Sequence, residues 1–124
     1  MGPRLTLLAN EHRPIEAALD RLGETLAAGH LDTDLLRSVS DAMARHYANE
    51  EDFLVALSEQ EPALAAKLRA QHDEVLELAS RLQEALLAGH EDDIGYLARR
   101  LVAMAQHNMI EEERDVFPLA LGFL

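Results

Sequence analysis

The chain repeats itself. Residues 21–30 read RLGETLAAGH and residues 81–90 read RLQEALLAGH; residues 42–51 read AMARHYANEE and residues 103–112 read AMAQHNMIEE. The two matches lie at offsets of 60 and 61 positions. Two halves of like design, each carrying two structural elements, are the simplest source of such a pattern. Two copies are too few to stack as a solenoid, so the halves must close on one another.

Each element reads as a helix. The hydrophobic fraction is 48% but aromatics supply only 4%, and Leu and Ala, both strong helix formers, dominate the apolar residues. A sheet would lean on Val, Ile, Tyr and Phe. The apolar period places a first helix from about Asn10 to Ala28, with Ile15, Leu19, Leu22 and Leu26 inward and Pro14 in its opening turn. A second begins near Asp32 or Thr33 and runs to about Leu57 through Val39, Met43 and Phe53. Pro62 opens a third, which ends at Ala88 before Gly89. The fourth starts after Asp92 and continues toward Leu119 through Leu97, Leu101, Met104 and Ile110. Short connections make successive helices antiparallel. The expected fold is therefore all-α, an up-down-up-down four-helix bundle made of two duplicated hairpins. Residues 1–9 form a docked N-terminal arm, and residues 1–124 make one domain.

Charge and composition exclude several classes of function. The net charge of −12, with no cluster of Lys or Arg, opposes binding to nucleic acid and to anionic membrane surfaces. Zero cysteines exclude disulfides, thiolate metal sites, iron–sulfur clusters and thiol chemistry. No segment has the length or apolarity of a signal peptide or a membrane span, so a cytoplasmic protein is expected.

The inward stripes contain residues that do not belong in an apolar core. Three before Ile15 is His12. Three after Met43 is His46, and four more reach Glu50; His72 sits between Leu68 and Val75. Three after Met104 is His107, and four more reach Glu111. His46 with Glu50, and His107 with Glu111, thus stack on one side of their helices. At about 1.5 Å per residue, His12 and His46 both stand roughly 20–24 Å from the first connection, and His72 and His107 stand at much the same height above the last. All six residues are expected in one slab. Buried acids and imidazoles without partners cost several kcal/mol each, on the order of the whole stability of a small domain, whereas cations among them turn the same groups into ligands.

Mixed imidazole and carboxylate donors suit iron, manganese and zinc. Six donors exceed the needs of one tetrahedral zinc. They suit two octahedral ions, each with two histidines, bridged by the two glutamates and by an oxo or hydroxo group, with a position left open. Ferritin-type sites pair a histidine with a glutamate three residues earlier, where this chain has Met43 and Met104. Glu51 and Glu112 follow the inward glutamates at about 100° and are expected mainly in solvent, with a ligand or partner role as the alternative. Met43 and Met104 are expected to line the pocket, with ordinary core packing as an equal alternative; a donor role for Tyr47 toward a ligand is the lesser of its two readings, and His30 and His90 belong in exposed turns.

In sequence order, Glu11-His12-Arg13, His46-Tyr47-Ala48-Asn49-Glu50-Glu51, His72-Asp73-Glu74, His107-Asn108-Met109-Ile110-Glu111-Glu112 and Phe117-Pro118 resemble the hemerythrin-like (HHE cation-binding) family over nearly the whole chain. The resemblance implies that His12, His46, Glu50, His72, His107 and Glu111 hold two Fe ions, oxo- or hydroxo-bridged. Oxygen-carrying members have a further histidine where this chain has Leu76, and an aspartate five residues after the last histidine. The pattern is more similar to bacterial proteins linked to nitric oxide stress and iron–sulfur repair, and to an iron-sensing domain of a ubiquitin ligase subunit. The function it implies is to bind or sense O2, NO or peroxide at an open coordination position. The alternatives are an enzyme that consumes peroxide or NO, and an iron-handling or repair protein.

Overall fold

A computed structural model describes residues 2–123, and every regular element among them is helical. The elements are α1 (Pro3–Ala27), α2 (Thr33–Asn49), α3 (Glu51–Gln60), α4 (Pro62–Ala88), α5 (Glu91–Glu111), a π-helical turn (Glu112–Val116) and α6 (Phe117–Ala120). α1 packs on α2 and α5, α4 packs on α5, α3 and α2, and this ring of contacts makes a helical bundle. No helix among the described residues is long and apolar enough to cross a membrane.

The termini of these helices follow local chemistry. Asp32 caps α2 by accepting from the Leu35 backbone N–H at 3.0 Å. Pro3 and Pro62 open α1 and α4, where the missing N–H costs no hydrogen bond. Gly29 and Gly89, at φ 79° and 71°, turn the chain out of α1 and α4 in the left-handed region that other residues enter at a cost.

The expected arm over residues 1–9 is not observed, because α1 already begins at Pro3 and runs through Pro14. Leu5, Leu8 and Ala9 extend the buried stripe of His12, Ile15, Leu19 and Leu22 about two turns toward the N-terminus. Burying Leu5 and Leu8 contributes about 1.5–3 kcal/mol each, enough to offset the roughly 3 kcal/mol of a proline inside a helix. The long second helix is divided at Glu50, where α2 gives way to α3, and the fourth is divided by the π-helical turn.

The core has two parts. One cluster comprises Ile15, Leu19 and Leu22 with Leu36, Val39, Met43, Val75, Leu82, Leu101 and Met109, among others. The other gathers Leu5 and Leu8 with Phe53, Leu54, Leu57, Leu68, Val116, Phe117 and Ala120. On every long helical run the residues between the two clusters are polar: His12, His46 with Glu50, His72, and Asn108 with Glu112, all buried. The bundle is thus crossed by one polar layer with apolar packing above and below it.

Candidate metal centre

α1, α2, the α2–α3 junction, α4 and the start of the π-helical turn each send side chains into this layer. His12 Nε2 and His46 Nε2 are 2.9 Å apart. Glu50 lies against both imidazoles, with Oε1 3.7 Å from His12 Nε2 and closer still to His46 Nε2. Its other oxygen is 3.2 Å from His72 Nε2. Glu112 repeats the arrangement, with Oε1 3.2 Å from His12 Nε2 and Oε2 2.9 Å from His72 Nε2. His12, His46, Glu50 and Glu112 together form a buried group whose donor atoms all lie within 4.8 Å of one another.

The expected residues separate in the structure. His12, His46, Glu50 and His72 converge, but His107 is exposed, and Glu111, although buried, meets Lys67, Gln71 and His107 outside the cluster. Glu111 accepts from Lys67 Nζ at 2.6 Å and Gln71 Nε2 at 3.0 Å, and His107 Nε2 stands 3.2 Å from it. The carboxylate that the last helical run turns inward is Glu112, which is fully buried, and Asn108 takes the inward position one turn before it. The reason lies in the stripe of α5. From Leu101 the buried series steps by four to Ala105, then to Asn108, Met109 and Glu112. Stepping by three to Met104 instead leads to His107 and to Ile110, which is 54% exposed.

Other expected neighbours divide likewise. Glu51 is exposed and pairs with Arg69, whereas Met43 is buried near the layer and Met104 only half-buried. Tyr47 stacks on His72 with ring centroids 3.9 Å apart and planes at 10°, so it holds the imidazole by its face. His30 and His90 are exposed, as expected.

The Nδ1 atoms of two imidazoles point away from the centre. His12 Nδ1–H donates to Glu113 Oε2 at 2.9 Å, and His46 Nδ1–H donates to Glu11 Oε1 at 2.9 Å. Asn49 Nδ2 donates to the second oxygen of Glu11 at 2.8 Å, and Arg13 donates to Glu113 and Glu16. His12, Glu16 and Glu113 make a second acidic group, but Arg13 spans both of its carboxylates, and it reads as an ion-pair network.

Electrostatics confirm how tightly the layer is strung. Burial works against a charged His12, yet the carboxylates of Glu112, Glu50 and Glu113 overcome it and push the imidazole up to about 10. His72 is driven the same way, burial again being outweighed by Glu112 and Glu50, to about 9. His46 is also raised, against burial, by Glu50 and Glu11. Burial disfavours charge on Glu50, but the three imidazoles hold its carboxyl far below the usual range. Glu112 goes the other way, because burial disfavours its charge and the carboxylate of Glu50 adds to that, together outweighing His12 and His72. Burial, then the charges of Glu112 and Glu50, keep the Tyr47 hydroxyl protonated.

The donor set fits a cation. Both oxygens of Glu50 and Oε1 of Glu112 lie within ion-pair distance of imidazole nitrogens, yet none receives a well-directed hydrogen bond. With their Nδ1 protons committed to Glu11 and Glu113, His12 and His46 present Nε2 lone pairs toward one another at 2.9 Å. Such a contact is repulsive unless a positive charge lies there, a proton in the metal-free chain or a metal ion in its place. Imidazole nitrogen and carboxylate oxygen without thiolate are donors for iron, manganese or zinc. No curated protein and no solved structure matches the chain. The family model described as the hemerythrin HHE cation binding domain matches residues 4–120, nearly the full length, and the chain belongs to that family.

Proposed function

We propose that this protein holds two iron ions in the buried layer and binds or senses O2, NO or peroxide at an open coordination position. The observation that carries the reading is the double-sided placement of both acids. Glu50 presents one oxygen toward His12 and His46 and the other toward His72, and Glu112 presents one oxygen toward His12 and the other toward His72. A carboxylate shared in this way suits two cations side by side better than one. The proposed ligands are His12 and His46 on one side, His72 on the other, and Glu50 and Glu112 between.

The His72 side has one imidazole where the opposite side has two. We include His107 as the sixth ligand, recruited from the surface when metal loads, and Glu112 replaces Glu111 in the set. The proposed frame is a single domain of four rods running up-down-up-down, with α2–α3 as one rod and α5–α6 as another.

Non-haem iron supplies O2 and one-electron chemistry when bound. The chain itself supplies orientation and a dry setting. Tyr47 fixes the His72 ring plane, Phe117 stacks on His12 at 6.0 Å, and the two apolar clusters keep bulk water from the layer. An open groove of about 500 Å³ between α1 and α2, whose lining includes Ile15, Val39, Ala42 and His46, gives a small apolar molecule an approach to the His46 edge.

Reduced, iron-loaded protein exposed separately to O2, NO and peroxide tests the reading. A saturable change in visible absorption with at least one of the three is expected. No change with any of them would remove the proposal, and continued consumption over many equivalents would identify an enzyme instead of a binding or sensing module.

A further inference from the structure

Two glutamates outside the cluster act on it through their histidines. Glu11 accepts from His46 Nδ1–H and Glu113 accepts from His12 Nδ1–H, both at 2.9 Å, so each ring is pinned in the tautomer whose Nε2 lone pair faces the centre. Both acids are themselves held, in chemically different ways. Glu11 receives a neutral amide N–H from Asn49, and no Lys or Arg among the described residues pairs with it. Glu113 is paired with the guanidinium of Arg13, which cancels much of that charge. At 27% and 29% exposed, the two side chains are anchored between the buried layer and solvent. No such carboxylate contact is seen at His72 Nδ1 among the described residues; that ring is held instead by its stack on Tyr47.

From this geometry we infer that Glu11 and Glu113 are positioning residues that orient His46 and His12 and raise the electron density these rings donate to a bound ion. Glu11 is the stronger of the two, because no Lys or Arg among the described residues pairs with it. The inference rests on the metal reading above. An anionic acceptor on the far nitrogen strengthens imidazole as a ligand and favours the more highly charged state of the ion. Orientation and charge can be separated by substitution. Glutamine keeps an oxygen to accept the Nδ1–H and removes the charge, and at position 11 the Asn49 amide need only turn over to remain bonded. Alanine removes both.

The test uses the full chain loaded anaerobically with ferrous iron, with affinity measured against a chelating indicator and the midpoint potential by redox titration. Glu11→Ala and Glu113→Ala are each expected to weaken iron binding about 10–100-fold. Glu11→Gln and Glu113→Gln are expected to recover much of that affinity and to move the midpoint potential to more positive values, Glu11→Gln by the larger amount. Wild-type affinity in both alanine variants overturns the inference. So does a loss that the glutamine variants leave unrepaired with the potential unmoved, since that pattern marks a packing contact. A wild-type chain that takes up no iron removes the metal reading itself, and is thereby distinguished from a failure of these two residues.

Discussion

His12 and His46 meet Nε2 to Nε2 at 2.9 Å, while the opposite nitrogen of each ring donates to a carboxylate. The two rings stand nearly edge to face, with centroids 4.6 Å apart and planes at 69°. Each ring has its outer proton fixed, so the space between the inner nitrogens is where positive charge must enter. The buried acids around that point set the consequences of changing it.

The choice between Glu111 and Glu112 is directly testable. Glu112→Gln is expected to weaken metal binding by more than the 10–100-fold typical of an outer partner, because it removes a buried acid that touches His12 and His72. Glu111→Gln weakens contacts with Lys67, Gln71 and His107 that lie outside the cluster, and is expected to leave metal binding in place. Titration of the two variants with ferrous iron decides between them, and the reverse ranking would return Glu111 to the site.

His107 makes a separate prediction. Its side chain is 62% exposed, so His107→Ala is expected to leave the stability of the metal-free chain within about 0.5 kcal/mol of wild type. If it is recruited on loading, the variant should retain roughly one ion where the wild type holds roughly two. Metal content after gel filtration would show this, and an unchanged content would place the ligand set without His107.

The pH dependence of the metal-free chain has a definite sign. His12 is raised from 6.5 to about 10, so its contribution to stability is full below about pH 6.5 and is lost as pH rises through about 10. His72, raised to about 9, and His46 behave alike. Glu50 is lowered from 4.5, so its contribution is present above that value and is lost as pH falls. Glu112 is raised and adds to the loss on the alkaline side. The metal-free chain should therefore be most stable between about pH 4.5 and 6.5 and weaken steadily above it. Iron binding should strengthen over the same alkaline range, because the ion displaces protons. Urea midpoints measured across pH would contradict this if they kept rising above pH 7.

Phe117 links the layer to the lower core. It is fully buried, stacks on His12 at 6.0 Å and meets Phe53 edge-on at 5.5 Å. Phe117→Ala should cost about 3–5 kcal/mol in chemical denaturation of the metal-free chain. A loss below about 1 kcal/mol would mean that α6 is not part of the core as described.

Much of this was legible from the residues alone. His12, His46, Glu50 and His72 interrupt apolar stripes whose phase is set by large residues on both sides, such as Ile15, Met43, Phe53, Leu68 and Val75, and the structure brings these four together. On α5 the phase was ambiguous. Ala105, which is buried, gives a weaker apolar signal than Met104, which is half-buried, so the larger residues Leu97, Leu101, Met104 and Ile110 set the phase. The signal that finds Glu112 is the buried series Leu101, Ala105, Asn108, Glu112, Val116. The start of α1 was hidden for another reason. Pro14 suggested an opening turn, and only the tertiary burial of Leu5 and Leu8 shows why the helix continues through it.

The central claim is that the polar layer is a cation site, and metal analysis by mass spectrometry of the chain reconstituted with ferrous iron, alongside a visible spectrum, tests it most directly. Roughly two irons per wild-type chain are expected, falling to a small fraction in a Glu50→Ala, Glu112→Ala double variant that still folds as a helical protein. Wild-type protein that stays helical but retains no metal, or a double variant that retains as much as the wild type, would contradict it.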